Sequence, residues 1–104
     1  MEILSEVHIL DWNPDYPLLT VTKRYWINAD IEDGYTLIFA HGIGFNKEQW
    51  EPTLNALFRL SHRKSPGYPR IREVWTIDCP NHGQAAILND NLLVRGGYNQ
   101  YVCA

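Results

Sequence analysis

The chain has 104 residues, a length that allows one small domain or a part of a larger one. An apolar fraction of 45%, a charged fraction of 20% and 12% aromatic residues are typical of a globular protein and argue against intrinsic disorder. A net charge of −3 argues against a nucleic-acid partner or an anionic membrane partner, because both require an excess of basic residues.

The sequence shows no targeting signal at its start. Residues 1–6 are acidic where a secretory signal is positively charged, and no run approaches the roughly 18 apolar residues of a membrane span. Cys79 and Cys103 are too few for a disulfide framework, so we expect two free thiols in a reducing compartment. These features predict a cytoplasmic protein that is not secreted, with an organelle lumen as the alternative.

The first quarter of the chain predicts two paired strands. A short apolar run at 7–10 is followed by a proline-rich loop at 13–17. Residues 18–26 then predict a strand, because β-branched and aromatic residues are frequent there and alternate with polar ones. This alternation indicates one solvated face, which is typical of an antiparallel pair.

Residues 35–40 predict a central parallel strand, because only Thr36 interrupts the apolar run and both faces are therefore expected to be buried. A helix start follows this strand. Asn46 can cap a first turn, Gln49 stands at the capping-box position, and Pro52 suits the start of a second helical segment.

The helix after Pro52 presents one apolar stripe that can pack on a sheet. A loop at 61–70 and a strand at 71–77 complete a strand, helix, strand unit, and 84–93 predicts a further short helix. The residues of the stripe are Trp50, Leu54, Leu57 and Phe58.

Both apolar strands end in loops that contain His and Gly. The first continues into His-Gly-Ile-Gly at 41–44, and the second into Asp-Cys-Pro-Asn-His-Gly at 78–83. Glycines let the backbone of such a turn come close to a ligand, and the N–H groups of the turn can hold an oxyanion or a phosphate. An ordinary glycine-rich turn between a strand and a helix is the alternative interpretation of the tetrad.

Two phosphate-binding motifs fit the sequence poorly. Lys47 stands where a Rossmann fingerprint has its third Gly, and Glu48 stands where a P-loop has its metal-binding hydroxyl. A metal site made by His41, Asp78 and His82 is also disfavoured, since no close His-x-His spacing supports it. We therefore expect no cofactor and no metal.

The order and spacing of these motifs resemble the α/β-hydrolase superfamily, of the AB hydrolase-1 type with esterase-, lipase- and epoxide-hydrolase-like members. The resemblance covers residues 18–88 and rests on the tetrad at 41–44, the helix that opens with Trp50, and the loop at 78–83. It implies an α/β fold, in which an antiparallel strand pair and a βαβ unit form the incomplete N-terminal portion of a hydrolase sheet. Residues 1–104 would be one partial domain, with an unmatched tail at 95–104.

The resemblance also implies roles for the two loops. The backbone N–H of Ile43, helped by that of Gly44 or Phe45, would form half of an oxyanion hole, and the residue after the nucleophile would supply the other half. The residues expected to brace the loops rather than to transfer protons are His41, Gly42, Asp78 and His82.

No activated nucleophile is visible in the chain. Ser5, Ser61 and Ser65 all lie outside a Gly-x-Ser-x-Gly pattern, and glycine does not flank Cys79 as that pattern requires. The serine, acid and histidine of the family's triad would lie beyond residue 104. We therefore expect a cut-short product that is inactive alone and would act on a small ester-like substrate only if completed.

Two other functions are open on the sequence. The turn at 42–44 could hold an anion in a small non-catalytic binding module, or the open edge of the strand at 35–40 could pair with another protein. An apolar edge without charge also predicts self-association and poor solubility.

Overall fold

A computed structural model describes residues 2–29, 31, 33–63, 67 and 69–95. Within them, four strands form one mixed sheet in the order β1-β2-β4-β3. The helices pack around this sheet, so the predicted α/β class is confirmed. The elements are β1 (Ile3–Leu10), β2 (Thr20–Ile27), β3 (Tyr35–Ala40), a 3-10 helix (Lys47–Trp50), α1 (Glu51–His62), β4 (Ile71–Asp78), α2 (Gly83–Leu88) and α3 (Asp90–Arg95).

The first two strands form the predicted antiparallel pair. Ile3 lies opposite Ile27 at one end of the ladder, and Leu10 lies opposite Thr20 at the other. β1 therefore starts four residues before the apolar run at 7–10. The extension was not visible in the sequence because its polar residues gain their backbone hydrogen bonds from β2 and not from a local pattern.

The strand, helix, strand unit is also confirmed, because β3 and β4 are parallel neighbours and α1 connects them. α1 continues to His62, two residues into the predicted loop. Ser61 is buried there, and its hydroxyl accepts a hydrogen bond of 2.7 Å from the N–H of Ile71. This contact joins the end of the helix to the start of β4.

The core lies between α1 and one face of the sheet. Leu54 and Phe58 are 1% and 0% exposed, and Leu57 and Trp50 pack beside them, so the predicted stripe is confirmed. The buried side chains that the stripe meets on the sheet are Tyr25, Ile27, Ile71 and Val74.

β3 departs from the prediction of a strand buried on both faces. It lies at the edge of the sheet, and Leu37 and Phe39 are its side chains that pack against the core. Ile38 points to the other face and is 68% exposed. The apolar run therefore predicted burial of both faces of β3, whereas among the described residues only the face that carries Leu37 and Phe39 is packed against the core.

The predicted helix at 84–93 is two short helices that meet at Asn89, which is 2% exposed. The Asn89 side-chain oxygen accepts a hydrogen bond of 2.8 Å from the N–H of Leu19. Its amide group donates to the carbonyls of Leu19 and Pro80, at 2.7 and 3.0 Å. One side chain thus joins α2 and α3 to the loop before β2 and to the loop after β4.

Cys79 is disulfide-bonded, so the expectation of a free thiol is wrong at this position. That expectation came from a rule about compartments, which says nothing of the geometry around one cysteine. Residues 96–104 of the predicted tail, which include Cys103, lie outside the described residues. Among the helices in the described ranges, none is long and apolar enough to cross a membrane.

A pair of identical substitutions in α1 tests the core. We expect Leu54→Ala to lower the free energy of unfolding by about 2–5 kcal/mol, because it leaves a cavity beneath the helix. Leu60→Ala removes the same atoms from a side chain that is 37% exposed, and should cost much less. Urea denaturation of both variants gives the comparison, and equal losses would contradict this packing.

The two edges of the sheet differ in charge. β1 carries Glu6 and His8, whereas β3 contains no charged residue. Charged side chains on an edge strand oppose pairing with another chain, and their absence favours it. We therefore predict that two copies of the chain pair through antiparallel β3 edges.

Sedimentation velocity at several concentrations would measure this association. Ile38→Lys places a charge on β3 at an exposed position and should shift the population toward the 12.1 kDa monomer. Ile9→Lys makes the same change on β1, where the side chain is 54% exposed, and should leave the association as it was. A wild-type chain that stays monomeric at high concentration would refute the prediction.

Candidate functional site

The loops that follow β3 and β4 leave the sheet side by side. Ala40 lies opposite Ile77 in the parallel ladder, so both strands end at the same edge of the sheet. In open α/β sheets the crevice outside the carboxyl ends of the strands is the usual place for a ligand. The loop at 41–46 and the loop at 79–82 therefore define the candidate site.

A buried ion pair joins the bases of these loops. Asp78, at the end of β4, is 0% exposed, and Lys47 is 1% exposed. The Lys47 ammonium lies 2.8 Å from one carboxylate oxygen, and the Lys47 backbone N–H donates to the other at 2.7 Å. The N–H of Gln84 also donates to the carboxylate, at 3.1 Å. Asp78 thereby holds the starts of the 3-10 helix and of α2 against β4.

The charge of Lys47 is stabilised by its surroundings. Burial alone would lower the pKa of the Lys47 ammonium, since it disfavours the charged form. The hydrogen bonds to Asp78 and to Glu48 outweigh this effect and raise the pKa above its ordinary value. Lys47 is therefore a cation at neutral pH, and it supplies the positive charge beside the buried Asp78 side chain.

Sequence reasoning missed the role of Lys47. The residue was considered only as a mismatch to two phosphate motifs, because nothing local marks a lysine near a turn as buried. The available signal was Asp78 at the end of an apolar strand, since a buried carboxylate requires a cation or several N–H donors. That requirement predicts a partner but not its position in the chain.

The helix start after the first loop matches the prediction in part. The Asn46 side chain accepts a hydrogen bond of 3.0 Å from the N–H of Glu48, as an N-cap does. The capping box does not form, because the side-chain oxygen of Gln49 is buried without a hydrogen-bond partner among the described residues. The first turn is a 3-10 helix, whose tighter winding places Gln49 differently from an α-helical residue.

His41 connects the first loop to the second. Its ring is buried, and Nδ1 lies 2.8 Å from the carbonyl oxygen of Gly42, in its own loop. Its Nε2 accepts a hydrogen bond of 3.1 Å from the N–H of Cys79, in the other loop. Both ring nitrogens are thus engaged with the backbone.

His82 makes the opposite connection, from the second loop to the first. Its Nε2 accepts a hydrogen bond of 3.0 Å from the N–H of Gly44, and its Nδ1 lies 2.5 Å from the side-chain oxygen of Asn81. The rings of His41 and His82 are tilted neighbours whose centroids lie 4.8 Å apart.

The backbone N–H groups of the first turn differ in their availability. Gly44 has a φ of +88°, and its N–H, which the resemblance implied as a second oxyanion donor, is taken by His82. The N–H of Phe45 donates to the carbonyl of Gly42 at 3.1 Å. The N–H of Ile43 makes no hydrogen bond to the part of the chain that the structure describes, and its side chain is 74% exposed.

The histidines and Asp78 do not converge as metal ligands. The Nε2 atoms of both rings accept backbone N–H groups, and the carboxylate oxygens face Lys47 and Gln84. Within residues 2–29, 31, 33–63, 67 and 69–95, no cluster of three ligating side chains is present.

The described serines lie away from the two loops. Ser61 contacts Ile71 at the start of β4. At the usual rise of a strand, this position is roughly 23 Å from the carboxyl end of β4, where the second loop begins. Ser5 lies on β1, with β2 between it and β4. Ser65 lies outside the described residues.

A matched pair of lysine substitutions tests the buried ion pair. Lys47→Met keeps the length of the side chain but leaves Asp78 without its cation, and should lower the free energy of unfolding by about 3–5 kcal/mol. Lys23→Met removes a lysine whose ion pairs with Glu48 and Glu51 are longer, at 3.9 and 3.6 Å, and partly exposed. It should cost about 1 kcal/mol or less. A similar decrease in the free energy of unfolding for both variants, measured by chemical denaturation, would contradict a special stabilising role for Lys47.

Comparison with known proteins adds evidence on the fold. No protein-family model and no curated protein matches the sequence. Among solved structures, the chain is similar to Lpx1, a peroxisomal α/β-hydrolase from Saccharomyces cerevisiae, with a TM-score of 0.58 and 23% identity. The match covers 85% of this chain but 26% of the yeast chain. The four-stranded sheet and its helices thus have the fold of the N-terminal region of an α/β-hydrolase.

Proposed function

We propose that this chain forms the N-terminal part of a hydrolase that cleaves ester or related acyl bonds, with the N–H of Ile43 as one donor of its oxyanion hole. The observation that supports the proposal best is the N–H of Ile43, which has no acceptor among the described residues and lies on an exposed turn at the carboxyl end of β3. The likeness to a hydrolase fold supports the same conclusion.

The chemistry of acyl transfer explains why one N–H matters. When a nucleophile adds to the acyl carbon, the carbonyl oxygen gains a negative charge, and a donor already in place stabilises it without reorganisation. Removing one such donor from an enzyme typically slows the reaction about 10²- to 10³-fold. We assign none of the nucleophile, the acid and the catalytic histidine to residues 1–104, so we expect no turnover of a small ester by this chain alone.

An anion-binding module is the second candidate. A phosphate-binding turn uses several consecutive N–H groups that point to one place. Here the N–H of Gly44 is engaged by His82 and that of Phe45 by Gly42, which leaves the N–H groups of Gly42 and Ile43 without an acceptor among the described residues. A turn in which two of its N–H groups are already engaged suits an oxyanion hole shared with a second segment better than it suits a phosphate site.

The mature messenger RNA tests the catalytic part of the proposal. We expect the reading frame to continue past the codon for Ala104 into Gly-x-Ser-x-Gly, then an acidic residue and then a histidine. A stop codon directly after Ala104 in that message would contradict a catalytic role for this protein.

An amide titration tests the role of Ile43 in the chain as it exists. In the ¹⁵N-labelled protein, we expect acetate to shift the amide resonance of Ile43 in a saturable way, and those of Gly44 and Phe45 much less. Sodium chloride at the same ionic strength is the control. Equal shifts at all three amides, or none at Ile43, would contradict its role as an oxyanion donor.

A further inference from the structure

We propose that His41 and His82 form a reciprocal clasp between the loops that follow β3 and β4, and that the His82 half of this clasp withholds the N–H of Gly44 from an oxyanion while it leaves that of Ile43 available. The inference rests on the proposed function for the role of Ile43, and on hydrogen-bond geometry for the clasp itself. It makes His82 a positioning residue that acts through Gly44.

The clasp is reciprocal because each ring accepts a hydrogen bond from the opposite loop. His41 belongs to the first loop and accepts from the N–H of Cys79 in the second, at 3.1 Å. His82 belongs to the second loop and accepts from the N–H of Gly44 in the first, at 3.0 Å. An amide N–H can only donate, so the Nε2 atom of each ring carries no proton.

The second nitrogen of each ring fixes the position of the remaining proton. Nδ1 of His41 faces the carbonyl oxygen of Gly42, and Nδ1 of His82 faces the side-chain oxygen of Asn81. These oxygens accept, so Nδ1 donates in both rings. The hydrogen-bond geometry therefore assigns the Nδ1–H tautomer to both rings, whereas free histidine in water favours the Nε2–H form.

The clasp decides which N–H groups of the turn stay available. Without His82, the N–H of Gly44 would be a further exposed donor beside that of Ile43, in a conformation with a φ of +88° that glycine adopts without strain. With His82 in place, Gly44 is held toward the second loop. The two rings, 4.8 Å apart, also limit each other's rotation.

Amide hydrogen exchange in the 104-residue chain tests the clasp. In the wild type we expect the amides of Gly44 and Cys79 to be protected and that of Ile43 to exchange freely. His82→Asn places an oxygen near the position of Nδ1 and removes the Nε2 acceptor, so the exchange of Gly44 should speed up roughly tenfold. His82→Gln places an oxygen near Nε2 and should keep the exchange close to the wild-type rate.

The ring nitrogens give a readout that needs no variant. We expect ¹⁵N spectra of the wild type to show the Nδ1–H tautomer for both His41 and His82. An Nε2–H tautomer in either ring, or a Gly44 amide that exchanges as fast as that of Ile43, would overturn the clasp. Protection of the Tyr25 amide in β2 reports whether each variant is folded.

The clasp and the proposed function can fail separately. If the tautomers and the protection of Gly44 are as expected but acetate does not shift Ile43, the clasp is supported and the oxyanion role is overturned. If acetate shifts Ile43 while Gly44 is unprotected, the oxyanion role is supported and the clasp is overturned.

Discussion

The rest of this structure depends on one buried ion pair, between Lys47 and Asp78. Two fully buried charges are tolerated only when they meet each other and when N–H groups satisfy the remaining oxygens. Asp78 receives the ammonium and the N–H of Lys47, and also the N–H of Gln84. This requirement leaves few positions for the 3-10 helix and α2 relative to β4, so it positions both loops of the site.

The backbone around the ion pair follows from the same constraint. Gly83 has a φ of +55°, and a Cβ at this position would lie 2.7 Å from the carboxylate oxygens of Asp78. Glycine is therefore the residue that lets α2 begin directly against the buried charge. His82 precedes Gly83, so the ion pair also determines where the His82 ring meets the N–H of Gly44. The Lys47–Asp78 ion pair therefore positions both the helices around β4 and the loops of the candidate site.

The sheet was predictable to the extent that its signals are local. β2, β4 and α1 were predicted near their true bounds, because their side-chain periodicity reflects which face meets the core. β3 was predicted at the right residues, but its burial was not, since an apolar run reports what a strand can bury and not which element covers it. The end of α1 was predicted too early, because Ser61 is held in the helix by a hydrogen bond from the N–H of Ile71, which lies in a different element.

The sequence by itself determined the strand, helix, strand order, the cap at Asn46, and the placement of His41, Ile43 and His82 in loops that follow strands. These features follow from periodicity, capping chemistry and glycine positions, all of which act over a few residues. Only the tertiary structure decided that Lys47 is buried against Asp78, that each histidine binds the other loop, and that the N–H of Gly44 is engaged while that of Ile43 has no acceptor among the described residues. The physical reason is that a hydrogen-bond donor must find its acceptor across 31 to 38 residues of chain, and the parallel pairing of β3 with β4 is what brings the two together.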